Sequence, residues 1–481
     1  MEASNNKPAI VFYIMGLIVC SLIILNAYNT ISDNPIGEGS DASYYIRMGY
    51  NVFHNNCFSG QESKALKPSA FREPLYALYL AGVIAVSPEL KRLGIAELVE
   101  KSSSLQRLRH AQIPILLIIS LVSAWLIYCI TGKYLFSFFA LILTGFSGSL
   151  IVSMDCLMAE HLAVMLSSLV AISFYKSIKT KNLLFFTGLG VSLALLVLTK
   201  AIFMYFIIFI IMFLLLMKKA GFLTRAQLVR GLAALMLSYA VLIGGWVLRN
   251  YIHFDNFYIT NRSGTVLAIR AQYNKMNVPE YFGSFLYWAP GGFIRKILHK
   301  TYGDNALEPE GTLGKLNRAN HEGYYFTGWS LIGVLSKGEK KSDYELHNTM
   351  QKISIEQFFA HPIKEVLVTI PILWRGIFYS HGLNIALSYN FIRCTGVFSL
   401  IYFLSFIILV ILTIKNRRWD LFCLISIPLY LFALNALATH GLPRYNLPVL
   451  GIIKDSFLVV IFYFTNKRSF GRSVLQHEPA K

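Results

Sequence analysis

Charge is scarce in this chain. Only 14% of its 481 residues are Asp, Glu, Lys or Arg, against about 25% in a soluble globular domain. With 55% hydrophobic residues and a mean hydropathy of +0.53, that shortage excludes an ordinary soluble enzyme and makes lipid part of the solvent. Acids are scarcer than bases, 25 against 44, which leaves a net charge of +19. In a soluble protein that excess would suggest nucleic acid. Here the basic residues sit in short clusters at the ends of apolar runs, which is how membrane orientation is encoded, so no nucleic-acid partner is expected. Cysteine pairs are also lacking. Cys20, Cys57, Cys129, Cys156, Cys394 and Cys423 are scattered, with no CxxC or metal-type spacing, and read as packing residues. A Cys57–Cys394 disulfide is the one pairing an outer compartment would permit. Tandem repeats and low-complexity tracts are absent too.

What is present is a series of long apolar runs. A membrane span needs about 20 apolar residues. Ten segments qualify: 10–30, 110–131, 134–154, 157–175, 183–199, 201–217, 230–248, 394–414, 420–440 and 445–466. The first is too long for a signal-peptide core and stays as a span. Two more segments are ambiguous. Residues 74–87 are short and bracketed by Pro74 and Pro88, and 363–381 carry Lys364, Glu365 and Arg375. With a cytoplasmic N-terminus and ten spans, sixteen basic residues fall in the short inner segments, while Lys200 and Arg444 occupy short outer links. Making 74–87 a full span would put the Lys176–Lys181 and Lys218–Arg230 clusters outside, against the positive-inside rule. The expected fold is therefore an all-α polytopic membrane protein with about ten spans and both termini cytoplasmic. The membrane domain would cover 1–468 and a cytoplasmic tail 469–481. Segments 74–87 and 363–381 become amphipathic helices on the outer surface, within two long, aromatic-rich outer loops at 31–109 and 251–393.

Short inner loops and long outer loops put the chemistry outside. In the first loop, Ser40 or Asp41 can cap a helix from 41 to about 53, with Asp41, Tyr44 and Tyr45 on one face. An Asp there is by itself an ordinary cap. Arg72-Glu73-Pro74 opens the first surface helix. Asp155, Glu160 and His161 lie at the outer end of the hairpin joining the third and fourth spans, and ionisable groups at membrane depth are costly and often functional. Lys200 stands alone between two uncharged runs, Arg249 ends the seventh span, and Arg444-Tyr445 precedes the tenth. Singly, each cation reads as an interfacial anchor. Together, Arg72, Lys200, Arg249 and Arg444 would form a basic rim facing Asp41, Asp155 and Glu160. Cations at a membrane rim suit a lipid-linked phosphate, and carboxylates suit a proton acceptor or a divalent metal. Lys454-Asp455 lies inside the last span and should pair internally.

In this order, these features resemble the GT-C superfamily of polyprenyl-phosphate-sugar-dependent glycosyltransferases, which includes the protein O-mannosyltransferases and aminoarabinose transferases. The matching pieces are Asp41 with Tyr44 and Tyr45, Arg72-x-Pro74-Leu-Tyr76, Glu160, Thr199-Lys200, Trp246-x-x-Arg249-Asn250 and Arg444-Tyr445-x-x-Pro448. Many members carry adjacent acids in the first loop, whereas Ala42 follows Asp41 and the nearest acid is Glu38. No large soluble C-terminal domain of the oligosaccharyltransferase type is expected after the last span.

The resemblance implies inverting sugar transfer from a polyprenyl-phosphate-sugar donor to a glycan, lipid or protein hydroxyl, such as a cell-envelope glycan or lipopolysaccharide. The setting implied is the periplasmic face of a bacterial inner membrane. Asp41 would be the catalytic base. Lys200, Arg444, Arg72 and Arg249 would bind the donor phosphate. Glu160, Asp155, Tyr44, Tyr45 and Tyr445 would contact acceptor or sugar. No cofactor is required, and a divalent metal is an option. The rival readings are a transporter or flippase, a polymerase or ligase using diphosphate-linked glycans, and a non-catalytic membrane scaffold.

Overall fold

The computed structural model describes residues 7–36, 40–63, 65–336, 343–379 and 395–466; Glu38, Cys394 and the expected tail lie outside them. The described residues are helical with no strand. The helices run α1 (Lys7–Thr30), α2 (Asp41–Asn55), α3 (Pro74–Val86), α4 (Ile95–Glu100), α5 (Ser102–His110), α6 (Ile113–Thr131), α7 (Tyr134–Gly145), α8 (Gly148–Asp155), α9 (Glu160–Thr180), α10 (Leu183–Thr199), α11 (Phe206–Lys219) and α12 (Arg225–Phe254). The second loop holds α13 (Ser263–Gln272), α14 (Val278–Trp288), α15 (Gly292–Tyr302), α16 (Tyr324–Ser336), α17 (Asp343–Ala360) and α18 (Pro362–Gly376). The chain then forms α19 (Thr395–Lys415), α20 (Phe422–Ala438) and α21 (Leu450–Thr465).

Among the described residues, eight helical stretches are long and apolar enough to cross a membrane: Ile10–Thr30, Ser102–Thr131, Glu160–Thr180, Ala201–Lys219, Arg225–Phe254, Gly396–Lys415, Trp419–Ala438 and Pro443–Thr465. They coincide with eight of the ten expected spans. The expected span 183–199 is the shorter apolar helix α10. The expected span 134–154 is not one helix but α7 and α8, broken at Phe146 and Ser147. A glycine stands just before the break. A Cβ on Gly145 would fall 2.1 Å from Ile23 of α1, so only glycine lets α7 approach α1 that closely. At the break the Ser147 N–H turns to the Thr144 carbonyl, which releases the carbonyl of Leu143. That carbonyl accepts the Lys454 ammonium at 2.8 Å. Asp455 accepts from Ser123 Oγ at 2.5 Å. The two neighbours on α21 thus hydrogen-bond to separate partners rather than to each other, as side chains one residue apart on a helix do, and Asp455 Oδ2 is left buried without a hydrogen-bond partner among the described residues.

The centre of the bundle is α9 and α21, buried along most of their length, with α6 and α10 beside them. By contrast, α12 buries little beyond Leu228, Gly231, Leu235 and Asn250, as a helix facing lipid should. Where α10 and α12 meet, the helices touch through glycine: a Cβ on Gly190 would meet the Leu235 carbonyl at 2.4 Å. The helix expected to be amphipathic at 74–87 is α3, and it is apolar on every face. Tyr76, Ala77, Leu80 and Ile84 are buried, while Leu78 and Val86 are exposed. In the second loop, α18 buries Val368, Pro371 and Ile372 and exposes Ile363, Val366 and Ile370.

A second, smaller core gathers Ile269, Tyr273, Leu298, Leu313, Tyr324 and Ile372 from the second loop. Arg270 anchors it. Fully buried, it donates to the Ala436 carbonyl of α20 at 3.1 Å and to Asn274 at 2.9 Å, and pairs with Glu365 at 2.6 Å. Burial lowers its pKa to about 10, against the pull of Glu365, and it remains a cation at neutral pH.

Candidate active site

The two long loops are held together through backbone carbonyls. Arg249 at the end of α12 donates to the Ser69 carbonyl at 2.9 Å, the Asn261 N–H to Ala70 at 3.2 Å, and Thr260 Oγ to Phe71 at 3.1 Å. Trp246 and Asn250 hold the other side, donating to the Ile259 carbonyl at 2.9 Å and the Tyr258 carbonyl at 2.8 Å. Three successive carbonyls, at 69, 70 and 71, are gripped, and the next residue is Arg72. The Trp246-x-x-Arg249-Asn250 motif is therefore a clamp that places Arg72 and residues 258–262 side by side. Arg249 also lies against the Trp246 ring at 4.8 Å. Its guanidinium is occupied within the clamp, and no ion pair joins it to Asp41 among the described residues.

Ser40 caps α2, its Oγ accepting the Ser43 N–H at 3.2 Å. This relieves Asp41 of the capping role and leaves its carboxylate free for other partners. Those partners are three guanidinium groups from three parts of the chain. Arg72 of the first loop donates to Oδ1, Arg444 beside the last helix donates to Oδ2 at 3.1 Å, and Arg262 of the second loop stands 3.8 Å from Oδ1. Burial pushes the Asp41 pKa up, but Arg72 and Arg444 outweigh it and hold the carboxyl below its ordinary value. Burial works against the Arg72 cation, but Tyr45 and Asp41 outweigh it and its pKa is raised. Arg72 is only 5% exposed, with its guanidinium over the rings of Tyr44 and Tyr45 at 5.7 and 5.4 Å. Tyr44 is seated by Gly60, where a Cβ would stand 2.4 Å from the phenol ring.

A second pair lies at the same end of the bundle. Glu160, the first residue of α9, is buried and accepts from Lys200 Nζ at 3.1 Å. Lys200 ends α10 in extended backbone, φ −147°, ψ 104°, and the next N–H, of Ala201, is capped by Glu73 at 3.1 Å. The residue beside Arg72 thus fixes the turn that presents Lys200. Arg444 links the two pairs: it reaches Asp41, approaches Met158 Sδ at 3.1 Å, and lies over the Tyr445 ring at 5.7 Å. Tyr445 in turn faces His440, whose Nε2 is 3.5 Å from the phenol oxygen. Next to these groups is a cavity of about 250 Å³, with Glu160 and Arg444 at its head and Val152, Phe378, Pro443 and Leu447 along its walls.

The structure therefore brings Asp41, Tyr44, Tyr45, Arg72, Glu160, Lys200, Arg444 and Tyr445 into one region. Asp155 is engaged elsewhere. Its Oδ1 accepts the Ser32 N–H at 2.9 Å, and Arg109, which also donates to the carbonyls of Ser32 and Asn34, stands 3.8 Å from it. That set staples the chain leaving α1. Arg262 is the site residue that sequence reasoning missed. In the sequence it appears only inside Asn261-Arg-Ser263, with no hydrophobic edge to mark it as a rim cation. The donor set does not fit a metal ion: Asp41 is occupied by arginines, and no group of three His, Cys, Asp or Glu side chains gathers among the described residues.

No family model and no curated protein matches this chain. Among solved structures it is similar to the archaeal oligosaccharyltransferase AglB from Archaeoglobus fulgidus in complex with an inhibitory peptide and a dolichol-phosphate, at 13% identity and TM-score 0.48, covering 94% of this chain and 50% of that one. The apo form of the Archaeoglobus fulgidus oligosaccharyltransferase gives 12% identity, TM-score 0.49 and coverage of 96% and 51%. ArnT from Cupriavidus metallidurans bound to undecaprenyl phosphate gives 12%, 0.34, and 96% and 78%. The chain spans about half the length of the archaeal enzyme.

Proposed function

We propose that this chain is a membrane glycosyltransferase that moves a sugar from a polyprenyl-phosphate donor to an acceptor hydroxyl at the outer face of the helical bundle. The setting proposed is the periplasmic side of a bacterial inner membrane, with an envelope glycan as acceptor. The observation that carries this reading is one carboxylate, Asp41, held by arginines from both outer loops and from the start of the last span, beside an apolar-walled cavity headed by Arg444 and Glu160. The cavity suits a lipid tail. The cations suit its phosphate.

Charge favours a monophosphate donor. Four cations, Arg72, Arg262, Arg444 and Lys200, face three carboxylates, Asp41, Glu160 and Glu73. One positive charge is in surplus, which a phosphodiester neutralises; a diphosphate would overfill it. When the phosphate arrives, the partly exposed Arg444 and Arg262 turn towards it, while the buried Arg72 keeps its place. This frees Asp41 Oδ2 and removes cations that depress its pKa, so donor binding itself makes Asp41 a better base.

Asp41 then accepts the proton of the acceptor O–H as that oxygen attacks the sugar C1. The C1–O bond to phosphate breaks, and the lipid phosphate leaves with the electron pair and a second negative charge, stabilised by Arg444 and Lys200. Glu160 holds Lys200 in position. Arg249 and Asp155 belong to the clamp and the staple. A transporter would place its charges near the midplane, where Lys454 and Asp455 are both already engaged.

Asp41→Asn tests this. Loss of the base should lower transfer by about 10²–10⁴-fold, with folded protein still recovered in the membrane. Wild-type rates in that variant would overturn the assignment.

A further inference from the structure

A second cavity, of about 350 Å³, lies away from Asp41 between α14 and α15. That volume is at the lower end of the roughly 300–1,000 Å³ typical of small-molecule sites. Tyr287 and Trp288 wall it, Pro290-Gly291-Gly292 forms one edge, and Arg295 is the charged residue among its lining, which includes no acid. We propose that this cavity binds an anionic saccharide unit.

Four features carry the assignment. The aromatic walls offer flat faces of the kind sugar rings stack on. The Trp288 indole N–H is buried and has no acceptor among the described residues, and a buried donor without a partner is costly. The Arg295 guanidinium has no acid partner among the described residues, and it is close enough, with Arg375, to pull the Tyr287 pKa down against the burial that raises it. Finally, Gly291 and Gly292 have open space where a Cβ would stand. They start an eleven-residue helix, so its unpaired N–H groups reinforce a preference for an anion.

The cavity's position connects it to the membrane and to the candidate active site. Pro290 packs against Gly396, at the start of α19, so the cavity lies level with the mouth of a spanning helix. Behind Trp288, Arg375 covers the ring at 5.0 Å and donates to the His440 carbonyl at 3.1 Å. The His440 ring packs on Tyr445, the neighbour of Arg444. A saccharide held here belongs to the acceptor; that clause rests on the transfer reading above, but the binding does not.

The test uses the full chain in phosphatidylcholine nanodiscs, titrated with digalacturonate and with maltose by calorimetry. Digalacturonate should bind saturably, with maltose at least about tenfold weaker. Arg295→Ala, at an exposed position, should weaken digalacturonate about tenfold or more, and Trp288→Leu should do the same. Asp41→Asn should bind as wild type does. No saturable binding, equal binding of the two sugars, or unchanged binding in Arg295→Ala would each overturn the proposal. Loss of probe binding in phosphatidylglycerol nanodiscs would reassign the cavity to a lipid headgroup and overturn it too. An Asp41→Asn protein that still transfers sugar, alongside an Arg295→Ala protein that loses the probe, would sink the transfer centre and leave the cavity standing.

Discussion

Arg262→Ala asks whether the second outer loop completes a site begun in the first. In the donor-free protein the Arg262–Asp41 pair should matter little. At 3.8 Å, two unit charges attract by roughly 4 kcal/mol at an effective dielectric of about 20. The Arg262 side chain is 32% exposed, however, and Arg72 and Arg444 already satisfy the carboxylate, so the net contribution falls to about 0–1 kcal/mol. The melting temperature should barely move. The effect should appear on donor binding. A hydrogen bond from a guanidinium to phosphate is worth about 1.5–3 kcal/mol, or roughly 10–150-fold. The contact is made to donor and transition state alike, so KM for the lipid-linked sugar should rise by that factor with kcat within about threefold. Initial rates against donor concentration, in nanodiscs, give both constants. An unchanged KM would mean that the phosphate never reaches Arg262 and that the second loop serves only as a wall.

Arg249→Ala should behave in the opposite way, since it opens the clamp on Ser69: a loss of about 1–3 kcal/mol in stability, read by thermal unfolding, with donor KM little changed in the protein that remains folded. A donor KM shift without a stability loss would return Arg249 to the phosphate site. Gly60→Ala drives a methyl into the Tyr44 ring and should cost about 1–3 kcal/mol, with a lower kcat because Tyr44 packs on Arg72; wild-type melting and rates would refute that packing. Asp41 must be ionised to act as base, and Arg72 and Arg444 hold its pKa below the ordinary value. The kcat/KM profile should therefore stay flat as pH falls into the usual carboxylate range. Arg444→Gln removes one depressing cation, so the pKa rises and the acid limb moves to higher pH; a limb that stays put or moves lower would refute the coupling.

Most of the bundle was legible because lipid imposes one strong rule, a long apolar run per crossing. Ser40 and Asp41 marked the start of α2 for a local reason, capping, and the lone Lys200 and Arg444 stood out against uncharged surroundings. What was hidden depends on contacts distant in sequence. Near Phe146 only Gly145 and Gly148 hint at a break, and what fixes it is distant: Ile23 of another helix packed on Gly145 and Lys454 of a third collecting the freed carbonyl. Arg262 could not be distinguished from any loop arginine until Asn250 and Trp246 fixed its neighbours. Asp155 and Arg249 looked like rim charges because sequence gives position along the chain, not the partner that occupies the side chain. The 74–87 helix was read as amphipathic from its length and ends, although its composition is apolar throughout.

The clamp between residues 69–71 and 258–261 has a consequence for how this protein can vary. Its gripping contacts end on peptide carbonyls, which every amino acid carries. Point substitutions in those two strips should therefore leave most of the clamp in place, except at Thr260, whose hydroxyl is one of the donors, and at the buried Ala70 and Ile259. A one-residue insertion or deletion should not be, because it would slide Arg72 past Asp41 and carry Arg262 out of range. Natural or engineered variants of this chain should keep the length of these strips more strictly than the identity of their other residues.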